Sequence, residues 1–391
     1  MFKAYKYRIQ PTEKQITLLN KHFGSVRYVY NHFLNARKEQ YRTSKKSDNY
    51  VAQCKVLTSL KTQEDTIWLK EINSQTLQAS LKNLEAAYLN FFRGNTQFPK
   101  FKSRRSKNSF KVPQAINIKN NKIYIPKFRE GIQFIQHREL QGEIRNCTFS
   151  RTPTGKFYIS ILTQVEHQQY SPTGRVIGID LGIKDFVITS NGSKYKNHRY
   201  TKIYEQKLKV AQRHLSRKKQ GSQRYENQRL KVAKIHEKIS NSRTDNLHKL
   251  STNLIKSYDL ICLEDLHVKG MVKNHKLAKH ISDCSWGTFV AMLEYKAAWN
   301  DKQIVKVNRF FPSSKTCSKC NYINQSLTLS DRKWTCIKCN VTHDRDINAA
   351  KNILVEGINL LSAGTVEYTN GDDVRLSKFF LAKQLSEKLE A

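Results

Sequence analysis

The 391-residue sequence contains no long apolar run. Its first residues, Met1-Phe2-Lys3-Ala4-Tyr5, lack the apolar core of a secretion signal, and no later stretch is long and apolar enough to cross a bilayer. A disulfide framework is missing too. Cys54, Cys147, Cys262 and Cys284 are scattered without framework spacing, which argues for a reducing compartment and against a stapled secreted fold. The expected setting is therefore the cytoplasm. No internal repeat is visible, so a solenoid is not expected.

Acid is scarce beside base. With 32 Asp and Glu against 69 Lys and Arg, the formal net charge is +37, far beyond what solubility requires. Such a surface attracts a polyanion at long range and gains from counterion release, so nucleic acid is the expected partner. The excess runs along the whole chain, which argues against a merely basic patch. The length suggests two or three folded units.

Residues 2–9 alternate loosely and predict a strand stopped by Pro11. Thr12 and Gln15 form a capping-box pattern ahead of Ile16, Leu19 and Phe23, and Gly24 is expected to end that helix. A second helix would bury Val26, Val29, Tyr30, Phe33 and Leu34, and a third would run from Ser74 to Gly94 with Leu77, Leu81, Leu84, Tyr88 and Phe91 inward. Residues 12–94 thus predict a helical insertion with a basic exterior. In Phe98-Pro-Lys100-Phe-Lys102-Ser-Arg104-Arg105-Ser-Lys107, aromatics alternate with cations, a pattern suited to stacking on bases while neutralising phosphates. From Ser109 to Gln164, short strands and turns predict a small β-barrel or sandwich that the first strand would complete.

Ser171-Pro-Thr-Gly174 marks a boundary. Beyond it, Val176-Ile-Gly-Ile-Asp180 reads as a buried strand ending in an acid, with a hairpin partner at 186–190 and a turn at Asn191-Gly192. Residues 199–250 carry fifteen Lys or Arg against four acids and predict two helices broken near Gly221-Ser222, with Arg217, Lys218 and Lys219 at the break. A one-sign excess of that size repels itself unless a polyanion is present. Tyr258 to Leu266 is again an apolar strand ending in acids, Glu264 and Asp265. A helix around Phe289, a strand at 304–307 and a helix from Asp346 to Leu354 follow, and patterning weakens from Gly357.

Two clusters carry chemistry. Cys317-Ser-Lys-Cys320 and Cys336-Ile-Lys-Cys339 are two knuckles fifteen residues apart, the spacing of a tetrahedral structural zinc site. Asp180 and Glu264 end strands and Asp346 begins a helix, and one edge of an α/β sheet is where such folds gather their sites. Clustered carboxylates without a cation repel; Mg²⁺ relieves this. Two such ions about 4 Å apart can activate water and stabilise the leaving oxygen in phosphodiester hydrolysis. Singly, each acid is better explained by a bland role, Asp180 in a turn, Glu264 in a solvated loop and Asp346 as a helix cap; their joint appearance in a polycationic chain shifts the balance.

Gly178-Ile-Asp-Leu-Gly182, Leu263-Glu-Asp-Leu266, the paired knuckles and Asp344-Arg-Asp-Ile-Asn-Ala-Ala-Lys-Asn-Ile353 together resemble the TnpB (OrfB) family of transposon-encoded, RNA-guided DNA nucleases, relatives of the type V CRISPR effectors. Tyr5-Lys-Tyr-Arg-Ile-Gln-Pro11, Phe98-Pro-Lys-Phe-Lys102 and Ser282-Asp-Cys-Ser-Trp286 extend the resemblance over nearly the whole chain. It implies an RNase H-like (RuvC-like) α/β nuclease domain at 171–310 and 341–360 with the zinc ribbon, 311–340, inserted. It further implies a β-barrel at 1–11 and 95–170 carrying the insertion 12–94, and a weakly ordered tail at 361–391. By the same resemblance, Asp180, Glu264 and Asp346 match the acidic triad, with His343, Asp344 and Arg345 in support. A guide RNA and double-stranded target DNA are the implied partners of a monomer, base pairing reading sequence and the protein reading a short flanking motif. Two other classes compete: a catalytically silent, guide-dependent DNA-binding regulator, and a transposase acting directly on element ends.

Overall fold

The computed structural model describes residues 1–104, 107–166, 170–328 and 330–364. Arg105 and the tail beyond residue 364 lie outside the described residues. The chain forms two compact units, Met1–Glu166 and His167–Ala391.

The first unit opens with β1 (Phe2–Gln10), followed by α1 (Glu13–Ser44), α2 (Tyr50–Leu60), a 3₁₀ segment (Glu64–Glu71) and α3 (Ser74–Phe92). Then come β2 (Asn108–Val112), β3 (Asn117–Lys119), β4 (Lys122–Ile125), β5 (Phe128–Ile135), β6 (Glu143–Arg151) and β7 (Phe157–Gln164). Thr12 caps α1 with the full box: its hydroxyl accepts from Gln15 N, and the Gln15 side chain accepts from Thr12 N. Gly24 does not end the helix. One continuous α1 replaces the two expected helices, because Phe23, Val26, Val29, Tyr30 and Phe33 keep one buried stripe across it. A mid-helix glycine costs about 1 kcal/mol, less than burying a single one of those side chains contributes. The sequence pattern missed α2 and the 3₁₀ segment, whose buried Leu57, Leu60 and Leu69 are too sparse to set a period.

The strands form one antiparallel sheet in the order β2-β6-β7-β1-β5-β4-β3. β1 lies between β7 and β5 and alternates Tyr5, Tyr7 and Ile9 inward with Lys6 and Arg8 outward, as period-two patterning requires. Among the described residues no ladder joins β2 to β3, so what is seen of the expected barrel is a continuous sheet. Helices and sheet share one core: Leu19, Phe23 and Leu81 join the same cluster as Tyr7, Phe110 and Ile159.

The second unit contains β8 (Val176–Asp180), β9 (Asp185–Thr189), β10 (Lys194–Lys196), α4 (Tyr200–Ser216), α5 (Gln223–Ser257) and β11 (Leu260–Glu264). It continues through α6 (Val268–Met271), α7 (Ala278–Cys284), α8 (Trp286–Trp299), β12 (Gln303–Val307), β13 (Lys333–Thr335), β14 (Thr342–Asp344) and α9 (Arg345–Ser362). Its sheet runs β10-β9-β8-β11-β12. β8, β9 and β10 form an antiparallel meander, while β8, β11 and β12 are parallel. The Asn191-Gly192 turn, with Gly192 at φ 90°, joins β9 to β10 rather than β8 to β9. The helix break at Gly221 falls where the sequence predicts it, and Ser222 caps the α5 that follows.

One face of this sheet packs against α5 and α8, the other against α9. The patterning that weakens at Gly357 conceals a helix that runs on to Ser362 and buries Ile358 and Leu361. Two glycines let α9 approach the strands: a Cβ at Gly178 would strike the Ala350 carbonyl, and one at Gly357 would strike the Cys262 sulfur. Asp259, paired with buried Lys302, accepts from the backbone N–H groups of Thr173 (2.8 Å) and Gly174 (2.6 Å) and so fixes the chain's entry into β8.

Candidate active site and metal centre

β8 and β11 run parallel in register, Ile179 beside Leu263, and each ends on an acid. Asp180 and Glu264 therefore occupy the same edge of adjacent strands. Helix α9, seated against both strands, brings Asp346 in its first turn. The charges of Glu264 and Asp346 bear on Asp180. Asp180 is pushed up to about 7, first by burial and then by the neighbouring charges of Glu264 and Asp346, with Arg345 opposing. Burial also raises Glu264, against a hydrogen bond donated by the Ser313 hydroxyl to its Oε1 at 2.5 Å. Asp346 has a long ion pair, 3.6 Å to Arg332 Nη1.

Neighbouring acids are occupied differently. Asp344 caps α9, its Oδ1 accepting from Asp346 N (3.1 Å) and Ile347 N (3.2 Å), while its Oδ2 pairs with Lys194 at 2.7 Å. Burial raises its pKa, but the Lys194 bond and the helix N–H groups outweigh burial and hold the carboxyl below its ordinary value. Asp265 is paired with Arg309. Asp180 is thus the acid on which the charges of Glu264 and Asp346 bear, and an all-oxygen donor set is the kind that suits a hard divalent ion.

The four cysteine sulfurs lie within 4.8 Å of one another; among the described residues no set of carboxylates is gathered that tightly. Cys317 Sγ to Cys339 Sγ is 3.6 Å and Cys320 Sγ to Cys336 Sγ is 3.5 Å. Tetrahedral zinc with Zn–S bonds of about 2.3 Å requires S···S distances of roughly 3.8 Å, so the set fits that ion. His343 Nε2 is 3.1 Å from Cys317 Sγ and its ring packs on Trp334, so it lies with the sulfur cluster. Arg345, in contrast, faces Asp180 through its charge.

Sequence reasoning missed the fastening between these two centres. Buried Asn348 and Asn352, one turn apart on α9, both donate to the Thr316 carbonyl (2.7 and 2.6 Å). Asn352 also donates to Ser313 O (2.7 Å), and Asn348 Oδ1 accepts from Ser318 N (3.0 Å). The only trace in the sequence is an Asn pair at i, i+4.

The predicted nucleic-acid contacts divide. Lys100 and Arg104 are exposed, as are Arg217 and Lys219 at the turn between α4 and α5, where Lys218 is half-buried. Lys102 is half-buried, its ammonium 3.8 Å from the centre of the Tyr30 ring and its backbone held by Asn31 at both N–H and C=O. Phe98 and Phe101 keep exposed rings beneath Lys38.

A cationic chain with acids at one edge of a mixed sheet and an embedded four-cysteine ribbon defines a nucleic-acid-associated class. Residues 160–275 match a family model described as a probable transposase (OrfB of IS605), 286–353 a Cas12f1-like TNB domain, and 1–46 a helix-turn-helix domain. Over that last span the structure has a strand and one unbroken helix. A "Putative RNA-guided DNA endonuclease" of Streptomyces pristinaespiralis is 37% identical over 366 residues, 93% of this chain and 91% of the relative. The "Putative RNA-guided DNA endonuclease InsQ" of Escherichia coli (strain K12) is 32% identical over 379 residues, 92% and 94% respectively. The protein of a Cas12f1–sgRNA–target DNA complex shares the fold at TM-score 0.56 and 14% identity, over 90% of this chain and 98% of that one. The chain belongs to the TnpB (OrfB) family.

Proposed function

We propose that this protein is the RNA-guided DNA endonuclease of a transposable element. It binds a guide RNA, recognises a short motif beside the target and hydrolyses both strands of double-stranded DNA. The observation that carries the reading is the placement of Asp180 and Glu264 at the same end of adjacent parallel strands, with Asp346 in the first turn of the helix packed on both, within a chain of net charge +37. The strand order, an antiparallel meander followed by two parallel strands, supports an RNase H-like (RuvC-like) domain at 171–310 and 341–360 with the ribbon 311–340 inserted. Residues 1–11 and 95–170 would form the barrel-like body and 12–94 its helical insertion. The three carboxylates would hold Mg²⁺, expected as two ions, which would supply an activated water and stabilise the leaving oxygen. Asp344, already used as a cap and ion-pair partner, is the weaker candidate. Zinc in the four-cysteine site would have a structural role. Lys100, Arg104, Arg217, Lys218 and Lys219 would hold phosphates of RNA or heteroduplex.

The test is expression followed by sequencing of copurified RNA, then cleavage of plasmids bearing matched targets. Asp180→Ala should abolish cutting while RNA binding is kept; full cleavage by that variant would refute the reading. The matched family's description, probable transposase, favours a second reading of strand transfer on element ends. Strand transfer without RNA would establish it.

A further inference from the structure

The loop that leads from β12 into the zinc ribbon touches both halves of the candidate metal site. Ser313 is 6% exposed, and its hydroxyl donates to Glu264 Oε1 at 2.5 Å. Its carbonyl accepts from Asn352 Nδ2 at 2.7 Å, on the helix that carries Asp346. Three residues on, the Thr316 carbonyl takes both Asn348 and Asn352, and the next residue is the zinc-cluster ligand candidate Cys317. A hydroxyl that rotates freely in solution is thereby held with its proton on one carboxylate oxygen, and Glu264 Oε2 is left outside this network.

We infer that Ser313 is a positioning residue for divalent-cation binding: its hydrogen bond to Oε1 fixes the orientation of the Glu264 carboxylate, and the Asn348–Asn352 clasp ties the same loop to the helix that carries Asp346. The inference rests on the reading of the three acids as one cation site. Donors of this kind fix a ligand's orientation and commonly change metal affinity by one to two orders of magnitude when removed. The four-cysteine knuckle then acts as a splint. The first of its cysteines, Cys317, follows the clasped carbonyl directly, so residues 313–318 add a tie between the Glu264 strand and the Asp346 helix beside their direct packing.

The test uses the full-length, zinc-loaded chain without RNA, titrated with Mn²⁺ as the probe and free Mn²⁺ read by electron paramagnetic resonance. Ser313→Ala should weaken Mn²⁺ binding by about tenfold while keeping zinc content and melting temperature, and Ser313→Thr should restore affinity to within about threefold. In a Glu264→Gln background, Ser313→Ala should add nothing. Unchanged affinity in Ser313→Ala, or a full additional loss in the Glu264→Gln background, would overturn the inference, as would loss of zinc from Ser313→Ala. A wild-type chain that binds Mn²⁺ no better than Asp180→Asn would instead refute the cation site itself, so the two failures are distinguishable.

Discussion

Asp180 shows how one residue's environment sets the chemistry. In free solution its carboxyl would ionise near 4, but burial and two like charges move it to about 7. A raised carboxylate makes the folded state bind the extra proton, so folding stability falls as pH rises from about 4 to 7 and stays reduced above. Asp180→Asn removes that cost. In magnesium-free buffer its melting temperature should exceed the wild type's at pH 8, by an amount equivalent to roughly 2–4 kcal/mol, and match it near pH 4. Mg²⁺ should stabilise the wild type and not the variant; equal melting profiles at both pH values would count against the raised Asp180 carboxyl. Lys296 offers the opposite sign. Buried and bonded to Ser251 Oγ, Thr252 Oγ1 and the His248 carbonyl, it is pushed down to about 8 by burial. The folded state releases its proton first, so this residue's contribution should make stability rise between about pH 8 and 10.5, a trend that Lys296→Met should remove in denaturant titrations.

Among the elements, α9 joins the two centres, and its seating depends on absent side chains. Gly178→Ala would drive a methyl into the Ala350 carbonyl and Leu354. The expected cost is about 1–3 kcal/mol or more, together with loss of cleavage as Asp346 is displaced. Gly24, mid-helix with open space where a methyl would sit, supplies the contrast: Gly24→Ala should raise stability by up to about 1 kcal/mol. Chemical denaturation of both variants checks the pair. Cys336→Ser should lose zinc, destabilise the second unit and stop cutting although every acid is retained; a zinc-free variant that cuts normally would exclude the splint role. Capping explains why the start of α1 was legible and its continuation was not: Thr12 and Gln15 form a local signal, whereas Gly24 is overridden by a buried stripe.

At the scale of the whole molecule, charge dominates. With +37 formal charge, RNA affinity should fall steeply and linearly on a log–log plot against salt. Replacing Arg217, Lys218 and Lys219 with alanine should lower the slope by roughly 2–3, with no change in Mn²⁺ binding by the acids. Filter binding across a salt series decides this. An unchanged slope would remove the α4–α5 turn from the interface.

The sequence by itself determined the cationic character, the four-cysteine spacing, the short strands and the three acids, because each is written in composition or in contacts a few residues long. How those acids are placed follows from long-range packing. Asp180 and Glu264 end neighbouring strands because β8 and β11 pair in parallel, although the two acids are 84 residues apart in the chain, and Asp346 opens a helix that two glycines admit to the sheet. The tertiary structure also gave Asp344 a helix end to cap and Lys194 to pair with. Ser313 and the Asn348–Asn352 clasp were illegible beforehand for the same reason: a hydroxyl or an amide acquires a role from its partner, and these partners are 30 to 49 residues away along the chain.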